Sequence, residues 1–544
     1  MSKLDLSSIF IYMLLVFSAG MVFARVSKDT KSYFGAGGKA PWWISGLSMY
    51  MSFFSAGTFV VWGTIAYEQG WVAITMQWTM CLAGLVVALL IAPRWRQTGC
   101  STVAEFIGQR FDTGLQQFYS YVTLLLSMIG SGVVLYPVAR IVQVASGMQL
   151  TTAVLLLGGA VVCYTATGGL WAVLVTDTLQ FVILTVSVIA LVPLALSKIG
   201  GLEALTQTAP DGFFNLFSEE FNPIFIIAFV FYHIFMIGGN WGLVQRYTCV
   251  GNKRDARRVG LLFAGLYILS PVFWMLPPMA YRILSPELTG LSSEGAYILI
   301  SKAVMPMGFM GLMIAAMISA TASTANTNLN ISSAVFTYDV YKKLIRKNAS
   351  DKEMMLIARL STLLIGLGMI GVALLIPKAG GLVNVVMSIG AMTGGPILAP
   401  PIWALFSGRI GKRAALTGTL LGLTVNLFLK FAAPVLFGYT MSRGVEMVIG
   451  VSGTLIVLLI FELISDKQTS AIPEPKAVDQ PQPDAAGENT FAIRVLATML
   501  MIIAVGMLAL GFLNPGGMTM GLCTSLPILA LSGICWKISG RSTA

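Results

Sequence analysis

Between Ser319 and Ser333 the sequence reads SATASTANTNLNISS, with a hydroxyl or carboxamide at almost every second position, and it follows directly on the apolar run GLMIAAMI. Residues three or four apart share a helical face. That spacing stacks Ser323 on Thr327, sets Thr324 beside them and places Asn326 and Asn330 on the flank. Hydroxyl and carbonyl oxygens are hard ligands, suited to an alkali cation and unsuited to a soft metal. Any one of these side chains could instead serve interhelical hydrogen bonding. The whole stripe points to an ion site. A second chemical signal is Asp177 in LWAVLVTDTLQF, because an acidic group within an apolar segment is rare and marks function by default. Its other reading is a helix cap near the membrane surface.

The elements that must position these groups are membrane helices. The chain of 544 residues is 56% hydrophobic and 10% charged, with a mean hydropathy of +0.82, outside the range of soluble domains. Apolar runs long enough to span a bilayer recur along it, so the expected fold class is an all-α integral membrane protein; a barrel of short alternating segments is excluded. Fifteen segments are expected, at 7–25, 41–66, 71–93, 117–144, 151–167, 171–195, 222–246, 258–281, 306–335, 354–377, 381–406, 413–437, 443–463, 491–513 and 517–536. Without the last there would be fourteen. The first lacks a basic leader and reads as a retained anchor. Six cysteines show no metal spacing and read as free thiols.

The net charge of +11 belongs to loops, not to nucleic-acid binding. Arg94, Arg96 and Arg110, then Lys253, Arg254, Arg257 and Arg258, then Lys342, Lys343 and Arg346 all fall on one side. By the positive-inside rule the N-terminus is outside and the C-terminus cytoplasmic. The Pro- and charge-rich stretch 465–490 reads as a flexible cytoplasmic linker. The expected divisions are 1–40, a leading helix and loop; 41–406, the core; 407–464, accessory helices; the linker; and 491–544, the last helices.

Two segments are interrupted. SFFSAGTF carries Ser52, Ser55 and Gly57 mid-span, and MIGGNWG carries Gly238, Gly239, Asn240 and Gly242. They stand five spans apart. If 41–195 and 222–406 are inverted repeats of five helices each, these are the first helices of each half, where transporters place broken helices and their binding site. Close helix packing is the other use of such glycines.

Four stretches in order, SYFGAGGKAPWWISGLSMYMSFFSA, GGLWAVLVTDTLQ, GGNWGLVQRYTCVGNKRDA and AAMISATASTANTNLNISSAVFTYDVY, resemble the sodium/solute symporter family, bacterial members included, over about residues 30–410. The resemblance implies a LeuT-like inverted repeat of five plus five transmembrane helices, with one leading and about four trailing helices. It implies a sodium ion, co-transported, held by backbone carbonyls of Met51 and Phe54, the carbonyl of Ala320 and the hydroxyls of Ser323 and Thr324. It also implies a second cation site at Asp177, Asn326 and Thr327, with Asn326 a departure from the family's two-hydroxyl pattern.

Substrate-binding candidates follow from the same alignment of motifs: Ser55, Gly57, Ser131, His233, Phe235, Asn240, Trp241 and Ser388. The glutamine of sugar-binding members is absent near Ser388, and Ser131 stands where sialic-acid members carry arginine. For His233 and Phe235 packing is the plainer role. The set is aromatic, hydroxylated and poor in fixed charge, which favours a neutral sugar or polyol, with a monocarboxylate or amino acid, driven by sodium or protons, as the alternative. A membrane sensor is the remote alternative. An enzyme is not expected, since one histidine and no polar triad leave no activated nucleophile. The expected partners are a small-molecule solute and membrane lipid, with no nucleic acid and no organic cofactor, and the unit is a monomer in a bacterial inner membrane.

Overall fold

In the computed structural model the described residues are 2–26, 40–100, 102–164, 170–346, 348, 350–438, 441–465, 485–514 and 517–541. They are helical throughout, with one isolated β-bridge between Ala40 and Val250 and no strand among them. The expected linker lies largely outside the described residues.

Eighteen helical elements carry the argument: α1 (Lys3–Val26), α2 (Trp42–Phe53), α3 (Thr58–Gln69), α4 (Val72–Thr98), α5 (Val103–Arg110), α6 (Thr113–Ser146), α7 (Leu150–Tyr164), α8 (Leu170–Ile199), α9 (Pro223–Gly239), α10 (Trp241–Thr248), α11 (Lys253–Leu284), α12 (Phe309–Val335), α13 (Asp351–Leu375), α14 (Leu382–Ala404), α15 (Lys412–Phe437), α16 (Arg443–Ile464), α17 (Ala485–Leu513) and α18 (Met518–Arg541). Each of the fifteen expected apolar segments falls on one of these helices or on a broken pair. By length and composition ten are able to cross a membrane, or twelve if each bent pair counts as one span. Among the described residues, shorter apolar stretches lie at Leu150–Val162 of α7 and Phe309–Ala322 of α12. α2 and α3 meet at 54°, α9 and α10 at 58°.

Local sequence sets the ends. Asn222 accepts from the Phe225 amide ahead of Pro223 at the start of α9, Asp112 caps α6 through Leu115, and Asn252 caps α11 through Asp255. Each satisfies an amide that the first helical turn leaves without a partner. α4 and α8 are buried over most of their length, whereas α13, α15 and α16 turn leucines and phenylalanines outward. In lipid such faces need no cover. α2 packs on α8 and α11, α12 on α6 and α8, and α17 and α18 on each other and on α8.

The basic loops gather at one end of the bundle, where Arg96 donates to Gly251 and Arg110 donates to Ser407 at the foot of α14. The opposite end is latched by the loop ahead of α12. Its Glu294, 4% exposed, accepts from Tyr136 of α6 at 2.6 Å and from the Leu382 amide of α14 at 2.8 Å, with Arg140 at 3.6 Å. Gly381 provides no side-chain cap for α14; the carboxylate supplies it. Glu294→Ala removes three partners at once and leaves buried donors unmatched, so it is expected to destabilise the fold by about 1–3 kcal/mol. Thermal unfolding of purified protein checks this, and a wild-type midpoint contradicts it.

Candidate cation site

The interruption between α2 and α3 redirects the backbone. In an unbroken helix the Ser55 amide would bond the Met51 carbonyl and the Thr58 amide the Phe54 carbonyl. Phe54 instead sits at φ −98°, ψ 89°. The Ser55 amide donates to Thr58 Oγ1 at 3.3 Å, and the Thr58 amide to the Ser55 carbonyl at 2.9 Å. The carbonyls of Met51 and Phe54 thereby lose their helical donors. Both residues are buried, so these oxygens lie away from bulk water.

The break faces α12. The Ala56 amide donates across to Thr321 Oγ1 at 3.3 Å, and Thr321 in turn donates to Met317. One residue from this contact, the Ala320 carbonyl accepts from Thr324 Oγ1 at 3.2 Å. Two of the α12 oxygens expected to hold the ion are thus neighbours, next along the helix from the residue that meets the break. Ser323 lies on the same stretch of α12; its side chain and those of Asn326, Thr327 and Asn330 lie outside the described residues. Thr321 was not singled out from sequence. It stands within the oxygen stripe, but which member meets the break depends on the rotation of α12, a tertiary fact.

The second break is closed by protein donors. Asn240 Oδ1 accepts from the amides of Gly242 and Leu243 at 3.0 and 3.4 Å. Trp95 Nε1 donates to the Gly238 carbonyl at 2.7 Å and the Tyr247 hydroxyl to the Ile237 carbonyl at 3.3 Å.

Asp177, 6% exposed, sits at the basic end of α8. It accepts from Ser48 Oγ of α2 at 2.6 Å, and Arg246 Nη2 of α10 lies 3.8 Å away. Arg246 Nε also donates to Ser48 at 3.0 Å, and Ser45 Oγ to the Arg246 carbonyl at 2.8 Å. An internal guanidinium therefore balances the carboxylate, and the triad ties both broken pairs to α8. Arg246 is not among the residues singled out from sequence; it ends the expected span 222–246, and a basic residue at that edge carries no sign of its partner.

The substrate candidates are spread over four elements. Ser55 Oγ accepts from the Gly57 amide at 3.3 Å, beside Pro137 of α6. Ser131 is fully buried and donates to Ser127. His233 Nδ1 pairs with Thr79 Oγ1 at 2.7 Å under the Phe229 ring, Phe235 is buried and Trp241 half-buried. Ser388 Oγ of α14 accepts from Lys430 of α15 at 2.8 Å, and Lys430 is paired with Glu446 of α16 at 2.8 Å. A small recess beside that ion pair is lined by α14–α16 residues such as Met392, Asn426 and Glu446, none of them a substrate candidate.

A family model described as the sodium:solute symporter family matches residues 33–422. The sodium/sialic acid symporter NanT of Aliivibrio fischeri is 26% identical over 475 residues, which cover 84% of this chain and 92% of that protein. Sodium/glucose cotransporter 1 of Mus musculus is 27% identical over 471 residues, 78% of this chain and 71% of that one. A sodium-coupled sialic acid symporter solved in a substrate-bound, outward-open state superposes with a TM-score of 0.72 at 23% identity, covering 86% of this chain and 99% of that one. That likeness gives the same LeuT-like fold.

The Asp177 triad makes a stability prediction. Removing one partner of a buried pair leaves the other charge uncompensated, a loss of about 3–5 kcal/mol, whereas replacing both by neutral groups is far milder. Arg246→Met is expected to lower the unfolding midpoint sharply, and adding Asp177→Asn to recover most of it. Additive losses in the double variant would contradict the pairing.

Proposed function

The chain belongs to the sodium:solute symporter family, and sodium-coupled symport of a small solute follows from that membership; from this premise we propose that one sodium ion binds where the α2–α3 break meets α12. Its ligands are the carbonyls of Met51, Phe54 and Ala320 and the hydroxyls of Ser323 and Thr324. The observation that supports the reading is the break itself, where two carbonyls lose their helical donors beside the Ala56 amide that reaches Thr321 of α12. A dehydrated cation needs such oxygens, and a proton does not.

The site couples because it has two sides. One half of the ligand set belongs to a broken helix, the other to a continuous one, so the ion binds fully only when the two are correctly spaced. A solute seated at the same break, by Ser55 and Gly57, shares that requirement. Each ligand then favours the arrangement the other needs, which is the thermodynamic content of alternating access. Asp177 is engaged by Arg246 and Ser48, and this supports a single sodium over a second cation there.

For the solute we favour a neutral, hydroxylated molecule of monosaccharide size. Ser131 offers a hydroxyl and no positive charge, and Lys430, the cation that touches the candidate Ser388, is already balanced by Glu446. A buried anion left without a partner is costly. The orientation expected from the basic loops, N-terminus outside, completes the proposal.

Ser323→Ala and Thr324→Ala each remove one proposed hydroxyl ligand, worth about 1–3 kcal/mol, and are expected to raise the sodium half-saturation about 5- to 150-fold. Proteoliposome uptake over a panel of neutral monosaccharides, sialic acid, lactate and proline, with sodium or choline outside, checks both ion and solute. Full uptake driven by a proton gradient in sodium-free buffer, unchanged by Ser323→Ala, would overturn the sodium assignment. Sodium-driven uptake of lactate or proline alone would overturn the neutral solute.

A further inference from the structure

Helix α12 starts without a cap of its own. Gly308, at φ +87°, stands in the N-cap position and offers no side-chain acceptor. The first amides of a helix have no intrahelical partner, and within a membrane they need one. Here they are met from the leading helix. Asp5 Oδ1 of α1, 5% exposed, accepts from the Gly308 amide at 2.7 Å and the Gly311 amide at 3.1 Å. Asp5 Oδ2 is fixed in turn by the amide and hydroxyl of Ser2, each at 2.8 Å. A Cβ at Gly311 would meet the Asp5 carbonyl oxygen at 2.2 Å. The approach is therefore closed to any other residue at Gly311.

The same turn is held from the other terminus of the chain. Asn514, just past α17 and 6% exposed, donates from Nδ2 to the Met307 carbonyl at 2.8 Å. Leu510 closes over Gly308. Along α1 the buried residues Asp5, Ser8, Tyr12 and Val16 form one stripe, while Leu6, Phe10, Ile11 and Leu14 are exposed. Tyr12 on that stripe is 2% exposed, and α1 packs along α12. An apolar anchor needs no such polar face. α1, Asn514 and Leu510 all lie outside the residues that the family model matches.

We infer that α1 and the end of α17 form a brace that fixes the axial position of α12, and that Asp5 and Asn514 are positioning residues for sodium binding. The Ala320 carbonyl is nine residues beyond Gly311 on one continuous helix, about 14 Å at 1.5 Å per residue. A slide or fraying at the start of α12 therefore displaces the ligands relative to the carbonyls of Met51 and Phe54. The inference rests on the sodium site proposed above.

The test uses the full chain in nanodiscs and radioactive sodium alone as the probe, so no organic solute is needed. Losing the cap should weaken sodium binding by about 2- to 30-fold in Asp5→Ala, the range a helix cap is worth. Asp5→Asn keeps an acceptor oxygen and should bind within about 3-fold of wild type. Asn514→Ala should weaken binding in the same direction as Asp5→Ala. Unfolding midpoints in choline, measured beside the binding, separate positioning from general damage. A lower midpoint with unchanged sodium affinity in both alanine variants would overturn the brace, as would failure to recover either as folded protein, since α1 and α17 would then be folding elements only. Thr324→Ala keeps the two proposals apart. Wild-type sodium affinity in that variant sinks the sodium site itself, whereas weak binding there with wild-type binding in Asp5→Ala sinks the brace alone.

Discussion

A backbone carbonyl that loses its helical amide inside a membrane has to find another partner, because no bulk water is present to take the place of the lost donor. The two broken pairs resolve this in opposite ways. At α9–α10 the Trp95 indole and the Tyr247 hydroxyl take the freed carbonyls, and Asn240 takes the freed amides. At α2–α3 the amides of Ser55 and Gly57 are absorbed locally by Thr58 and Ser55 and the Ala56 amide by Thr321 of α12, so the carbonyls of Met51 and Phe54 lose their helical donors at a break that touches α12. The first break is the one we assign to the cation.

The same constraint governs the helix ends that set the geometry. α12 and α14 begin at Gly308 and Gly381, neither of which supplies a side-chain cap. Asp5 and Glu294 reach in from other elements to close them. At the other end of α14, Arg110 donates to the Ala404 and Ser407 carbonyls, with charge placed as the helix dipole favours. Carboxylates at the starts and a guanidinium at the finish hold the core helices in register without relying on the hydrophobic effect, which drives little association between helices in lipid.

Much of this architecture was legible in the chain. Apolar run length gave the helices, and SFFSAGTF and MIGGNWG marked the two breaks, because glycine, serine and asparagine in mid-span are a local signal. The stripe from Ser319 to Ser333 marked α12 for the same reason. What stayed hidden were pairings between distant residues: Asp177 with Arg246, Ser388 with Lys430 and Glu446, Asp5 with Gly308, and Thr321 with Ala56. Local composition says that a buried charge must be paired and never with which partner. Arg246 and Lys430 each stand near the end of an apolar segment, and only the fold places a carboxylate beside each.

The central claim is that one cation sits between the α2–α3 break and α12, and it is most directly tested by anomalous diffraction from crystals exchanged from sodium into thallium(I). The account predicts a single peak bounded by Met51, Phe54, Ala320 and Thr324, reduced when sodium is restored. A map with no peak there, or with its peak at Asp177, would contradict it.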